Sequence, residues 1–177
     1  IRDGIAINPH YRKLTPIVAD SLASWGDWKD AIWIWESVLQ SRPNIVIVMT
    51  NVARGYLQLG NHQKAKEYLE RAKRIQPSAI AVNSLEVTFL EQTGRSGEAA
   101  QRAQDLLKAG VVDRELVQTA YDLGIRLHRP EVAILAMETG IRVWPTRAVD
   151  GWLKLGDIYA SPDSRDDRKA IESYRRA

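Results

Sequence analysis

The 177-residue sequence contains no cysteine, which excludes disulfide bonds and thiolate zinc sites. This absence does not decide the compartment, because reducing and oxidising spaces both contain cysteine-free domains. The longest apolar run, "IVIVM" at residues 45–49, is too short to span a bilayer. The excess of positive over negative charge is also small, with 25 basic and 22 acidic side chains. A net charge of +3 without a clustered basic stripe gives no reason to expect a nucleic-acid ligand.

Motifs of catalysis are missing as well. The G-x-S-x-G, P-loop and G-x-G-x-x-G patterns do not occur. Three histidines fall at predicted turns and share no metal-ligand spacing: His10, His62 and His128. We therefore predict that the chain is not an enzyme and holds neither a metal nor a cofactor.

What the sequence does contain is a repeat of 34 residues. The interval separates the members of three sets: Ala31, Ala65, Ala99 and Ala133; Gly26, Gly60 and Gly94; and Pro9, Pro43 and Pro77. Three residue types that keep one phase over most of the chain indicate a repeat architecture.

Each repeat has the pattern of two helices. Residues 45–60, "IVIVMTNVARGYLQLG", carry apolar side chains at helical spacing and stop at Gly60, a plausible C-terminal cap. Asn61 then serves as the N-cap of a second helix that ends before Pro77. A helix pair of this size cannot bury its apolar face alone, so neighbouring repeats must stack. The pattern predicts an all-α fold, an α-solenoid of helix-turn-helix repeats.

The segment "WLKLGDIY" carries the strongest motif. Trp152, Leu155, Gly156 and Tyr159 stand in the W-x2-L-G-x2-Y spacing of the tetratricopeptide repeat family, which the chain resembles over nearly its whole length. The resemblance implies a right-handed α-solenoid that binds a protein or peptide and has no catalytic activity of its own.

The repeat phase also gives the expected organisation of a single array over residues 1–177. The segments are the tail of a preceding repeat, 1–11; four full repeats, 12–45, 46–79, 80–113 and 114–147; and a truncated fifth repeat, 149–177. Both ends are expected to be cuts through a longer protein.

Four of the six tryptophans lie within residues 25–35, in the stretch "WGDWKDAIWIWESVL". By repeat phase Trp25, Trp28 and Trp35 are predicted to be core residues. Trp33 aligns with Glu67 in the next repeat, so it is predicted to face outward on the convex side. There it would pack on a helix upstream, or it would contact a partner or a membrane-proximal domain.

The family resemblance implies a concave groove lined by particular first-helix positions. Carried over by phase, these are Lys13, Asp20, Ser24, Thr50, Asn51, Arg54, Leu57, Gln58, Ser84, Thr88, Gln92, Gln118, Asp122 and Arg126. Such a groove of mixed polarity suits an extended peptide or the surface of another domain. For Arg54 and Arg126 the alternative is a solvated groove wall without a ligand.

The one basic run, "KAKEYLERAKR" at residues 64–74, interleaves glutamates with its lysines and arginines. This spacing is typical of a solvated, salt-bridged helix face. Contact of this face with anionic lipid headgroups, with a partner or with nucleic acid is the alternative.

Residues 8–39 resemble the tetratricopeptide tail of bacterial O-antigen ligase or polymerase-type membrane proteins. This implies a periplasmic module that positions partners for surface-polysaccharide assembly or glycan transfer, next to a membrane-embedded part of the same chain. The first alternative is a free-standing, cytoplasmic scaffold that binds an extended peptide. The second is an enzyme with a carboxylate pair drawn from Asp20, Asp122 and Asp157.

Overall fold

The computed structural model of the protein describes residues 15–177, and every regular element in that range is helical. Ten α-helices occur there: α1 (Thr15–Ser24), α2 (Trp28–Ser41), α3 (Val46–Gln58), α4 (His62–Ile75), α5 (Ile80–Gln92), α6 (Ser96–Lys108), α7 (Arg114–Arg126), α8 (Pro130–Val143), α9 (Ala148–Ala160) and α10 (Asp167–Arg176). A short 3-10 helix, Pro145–Arg147, precedes α9. The prediction of an all-α fold built from helix pairs is confirmed. The predicted tail at residues 1–11 and the groove residue Lys13 lie outside the described residues.

Each helix pair lies within one repeat of the predicted phase, except that α9 begins at Ala148, one residue before the predicted start of the fifth repeat. The pairs are α1 with α2, α3 with α4, α5 with α6, α7 with α8, and α9 with α10. The chain divides into two compact units, which we call unit 1, up to Leu85, and unit 2, from Glu86 to Ala177. That the repeats form one array remains a prediction.

The turns between paired helices follow the chemistry that the repeat predicts. Gly60 has a φ of +71°, a left-handed conformation in which a side chain would be strained. Asn61 follows as the N-cap, and its side chain accepts a hydrogen bond of 3.1 Å from the backbone N–H of Lys64. His128 stands in the glycine slot of the fourth repeat and also has a positive φ, of 53°.

In unit 1, α1 packs on α2, α2 on α3 and α3 on α4. Trp35 is only 3% exposed, as predicted, and Trp28 is half-buried. The prediction that Trp25 is a core residue is wrong, because its side chain is 79% exposed. Trp25 lies in the turn that follows α1, beyond the buried face of the helix. Its backbone N–H donates a hydrogen bond to the Ser21 carbonyl. Leu59, at the same repeat position, is 43% exposed.

In unit 2, α6 packs on α7 and α8, α7 on α8, α8 on α9, and α9 on α10. The core of this unit is rich in fully buried alanines, among them Ala103, Ala120 and Ala136. Small side chains let the helix backbones approach closely. At Gly124 the approach is so close that an added Cβ would lie 2.6 Å from the backbone nitrogen of Ala133.

No helix within residues 15–177 has both the length and the apolar character that a membrane crossing requires.

Candidate binding surfaces

Asp20, on α1, is linked by hydrogen bonds to α2 and to α3. Its Oδ1 accepts a hydrogen bond of 3.2 Å from Trp35 Nε1 on α2 and one of 3.4 Å from Asn51 Nδ2 on α3. The structure therefore brings together two of the predicted groove residues, Asp20 and Asn51. It also shows why the buried Trp35 needs Asp20, since an indole N–H placed in a core requires an acceptor.

A second polar network in unit 1 was not predicted from the sequence. The Glu36 carboxylate accepts hydrogen bonds from the hydroxyls of Tyr56, at 2.8 Å, and Tyr68, at 3.0 Å. The two rings stack with centroids 6.0 Å apart, and Lys64 Nζ donates to the Tyr56 hydroxyl at 3.2 Å. Burial, with a further contribution from the Glu36 charge, raises the pKa of Tyr68 to about 12. The partners are 20 and 32 positions from Glu36, too far for local sequence patterns to reveal.

The same two rings contact basic side chains of the run at residues 64–74 on α4. Lys64 Nζ lies 4.9 Å from the centre of the Tyr56 ring, and the Arg71 guanidinium lies 5.1 Å from that of Tyr68. Two of its cations thus contact aromatic faces, a type of interaction that the predicted salt-bridged face did not include.

In unit 2, the predicted groove residues on α5 and α7 are bonded to neighbouring side chains. Thr88 Oγ1 donates to Glu115 Oε1 at 3.2 Å, and Arg126 Nη2 lies 2.6 Å from Glu91 Oε1. Both bonds connect α5 to α7 across this face.

Two more predicted groove residues of unit 2 bond along α7 itself. Gln118 Nε2 donates to Asp122 Oδ1 at 2.9 Å, one helical turn away. Gln92, on α5, is exposed, as are Gln118 and Asp122.

Three of the predicted groove residues are buried, and we withdraw them from the binding set. Thr50 is 0% exposed, and its hydroxyl donates to the Ile47 carbonyl at 2.8 Å. Leu57 and Ser84 are also buried. The family positions were assigned by phase alone, and here these helix faces point into the packed interior.

The remaining predicted residues of unit 1 are more accessible. Ser24 and Gln58 are exposed, and Arg54 is half-buried. Trp33, predicted to face outward as a convex contact, is half-buried as well. Its part in binding stays a prediction.

The carboxylates of the enzyme alternative are each bonded to a different side chain. Asp20 and Asp122 accept the bonds described above, and Asp157 accepts a hydrogen bond of 2.7 Å from the Tyr174 hydroxyl. Among residues 15–177, no group of three or more His, Cys, Asp or Glu side chains is placed to hold a metal ion.

A family model described as the tetratricopeptide repeat matches residues 48–78, the span of α3 and α4. This segment is similar to a single tetratricopeptide repeat. A curated relative, the Protein CTR9 homolog of Arabidopsis thaliana, is 29% identical to the chain over 87 residues. That match covers 48% of this chain and only 8% of the relative, so the chain spans a small part of the relative's length.

Solved structures share the fold at low sequence identity. MamA of Desulfovibrio magneticus is 14% identical, over 93% of this chain and 92% of that chain, with a TM-score of 0.64. PilF of Pseudomonas aeruginosa is 16% identical, over 94% and 76%, with a TM-score of 0.68. PilW, whose structure is described as that of a type IV pilus biogenesis factor, is 16% identical, over 96% and 78%, with a TM-score of 0.68. At these identities the likeness shows the fold alone.

Proposed function

We propose that the chain is a non-catalytic, protein-binding module and that it holds an extended peptide segment on the exposed first-helix face of unit 2. The observation that carries this proposal is the set of accessible polar side chains on α5 and α7: Gln92, Gln118, Asp122 and Arg126. Amide side chains both donate and accept hydrogen bonds, as a peptide backbone does. The tetratricopeptide fold supports the same function, because repeats of this family bind proteins.

The order already present on this face favours binding. The Arg126–Glu91 ion pair and the Thr88–Glu115 hydrogen bond fix side chains that would otherwise have to be ordered by the ligand. Pre-ordered contacts lower the entropic cost of association. The charges are of both signs, which fits a peptide better than a phosphate backbone.

The proposal is tested by selecting peptides from a display library on the immobilised protein and measuring their affinities by fluorescence anisotropy. The test variant carries Gln92→Ala with Arg126→Ala. A matched control carries Gln63→Ala with Lys66→Ala, which removes an amide and a cation from the exposed face of α4. Loss of two polar contacts should weaken binding about tenfold in the test variant, while the control binds like the wild type.

Equal affinities of the two variants would contradict the placement of the site on unit 2. Failure to select any peptide would contradict peptide binding itself. Circular dichroism of both variants ensures that lost affinity is not lost folding.

The biological setting rests on the sequence resemblance of residues 8–39. We propose a periplasmic module of a bacterial membrane protein that acts in surface-polysaccharide assembly or glycan transfer, with a free-standing cytoplasmic scaffold as the alternative. The family-model match and the solved neighbours do not bear on this choice. Deletion of the source gene followed by gel analysis of the O-antigen ladder is the test. A shortened ladder supports the polysaccharide role, and an unchanged ladder favours the scaffold.

A further inference from the structure

A recess in unit 2 lies where α7, α8 and α9 meet the 3-10 helix, and we call it the basic hollow. Its volume is about 210 Å³, and the residues that define it are Arg114, Gly140, Trp144, Arg147 and Lys154. We propose that the basic hollow binds an acidic side chain of a peptide partner together with a neighbouring apolar side chain. This inference rests on the proposed peptide-binding function, and the hollow shares only Gln118 with the face proposed there.

The hollow exists because Gly140 has no side chain. Earlier repeats carry larger residues at this position, namely Val38, Ala72 and Leu106. A Cβ added at Gly140 would meet only Val117 Cγ1, at 3.4 Å, and Trp144 Cε3, at 4.0 Å, which are ordinary contact distances. Val117 and Trp144 therefore flank this position closely, and Gly140, which lines the hollow, leaves it unfilled where a larger side chain would project.

The rim of the hollow carries an excess of positive charge. The Arg114 guanidinium lies 5.8 Å from the centre of the Trp144 ring, and Arg147 is exposed. Neither arginine forms an ion pair with any of residues 15–177. Lys154 is bonded to Asp150 at 3.0 Å, which neutralises the one carboxylate that lines the hollow. Two cations without counter-charges attract an anion, and a guanidinium suits a carboxylate because it donates two parallel hydrogen bonds.

The floor of the hollow is apolar. It consists of Val117, Met137, Ile141 and the Trp144 ring. Arg147 and Asp150 also border an adjoining open surface on α9, where Val149 is 55% exposed and Leu153 is 45% exposed. A small anion would leave these apolar surfaces in contact with water. A ligand that alternates acidic and apolar side chains would cover them as well, and it therefore fits the hollow best. The recess has room for a side chain but not for the flat surface of a membrane, which favours a peptide.

The experiment follows the Trp144 indole resonance of the ¹⁵N-labelled chain by NMR, with Trp144→Phe to assign it. The probe is a short capped peptide that alternates glutamate with leucine or phenylalanine. We expect a saturable shift of the Trp144 resonance. Arg114→Gln and Arg147→Gln should each weaken binding about fivefold, and added salt should weaken it further. Arg74→Gln, on the exposed face of α4, is the matched control and should bind like the wild type.

Two further variants separate this inference from the proposed function. Gly140→Leu should abolish the shift, and the fold should persist because Leu106 occupies the same repeat position. The Gln92→Ala and Arg126→Ala variant should leave the shift unchanged, since neither residue lines the hollow.

Three results would overturn the inference. The first is a Trp144 resonance that stays fixed while peptides selected by display still bind, which would leave the proposed function standing. The second is equal binding of a peptide with glutamine in place of glutamate, because the rim charges would then have no role. The third is a response to phosphatidylglycerol vesicles but not to the peptide, which would assign the hollow to a membrane.

Discussion

Unit 1 and unit 2 are built on the same 34-residue repeat but are filled in different ways. In unit 1, large aromatic side chains occupy the space between helices, and carboxylates at the edge of the packing accept hydrogen bonds from their polar atoms, as the exposed Asp20 does from Trp35 and the half-buried Glu36 does from Tyr56. In unit 2, the core is built largely from alanines and Gly124 brings two helices into close contact, while the polar side chains of the proposed binding face, such as Gln92 and Arg126, are exposed. The comparison indicates that the repeat determines where the helices begin and end, whereas the individual side chains determine which surfaces are accessible to a partner.

The largest effect should come from emptying the aromatic core of unit 1. Trp35→Ala removes a buried indole and leaves a cavity in the core, so the free energy of unfolding should fall by about 3–5 kcal/mol. Urea denaturation measures it. Trp25→Ala is the matched control, because the same substitution at an exposed tryptophan should change stability by less than about 0.5 kcal/mol. Equal losses for the two variants would mean that Trp25 is buried and that our account of this turn is wrong.

A smaller loss of stability should result from adding a methyl group at a tightly packed glycine, and the loss should be greater in unit 2 than in unit 1. Gly124→Ala places a methyl group against the backbone of Ala133, which cannot move aside, and should cost about 2–3 kcal/mol. Gly55→Ala meets the buried side chain of Ile32, with Cγ1 at 2.7 Å, and a side chain can shift where a backbone cannot. We expect the Gly55 variant to lose about 1–2 kcal/mol, less than the Gly124 variant, in the same denaturation assay. The reverse order would break the comparison between the units.

The smallest effect is a dependence of stability on alkaline pH. The pKa of Tyr68 is raised from 10.0 to about 12 in the folded state, so the folded chain holds this proton more tightly than the unfolded chain. The resulting stabilisation is complete below pH 10 and is lost as the pH rises towards 12. Tyr68→Phe should flatten this part of the curve of unfolding free energy against pH. An identical slope in the variant would show that folding does not raise the pKa of Tyr68.

Much of the fold could be predicted because its signals are local. The 34-residue phase, the glycine turn at Gly60 and the Asn61 cap depend on residues a few positions apart, and the structure places them as expected. The burial of Trp35 followed from its alignment with Leu69, a core position.

The candidate site was less predictable because it depends on contacts between distant residues. The Glu36 network joins side chains from three helices, and no spacing in the sequence marks it. The prediction for Trp25 failed because the repeat phase gives a residue's position in the helix pair but does not show where the helix ends. Helix α1 ends at Ser24, one residue before Trp25. The basic hollow depends on Gly140, whose missing side chain has meaning only once its neighbours are known.

The central claim is that unit 2, with its open polar face and the basic hollow, carries the binding of a partner. Hydrogen–deuterium exchange of the whole chain, with and without a peptide selected by display, tests it most directly. The account predicts that the bound peptide slows exchange in α5, α7 and α9 and leaves α1–α4 unchanged. Slowed exchange confined to α1–α4 would contradict it and would place the binding surface on unit 1.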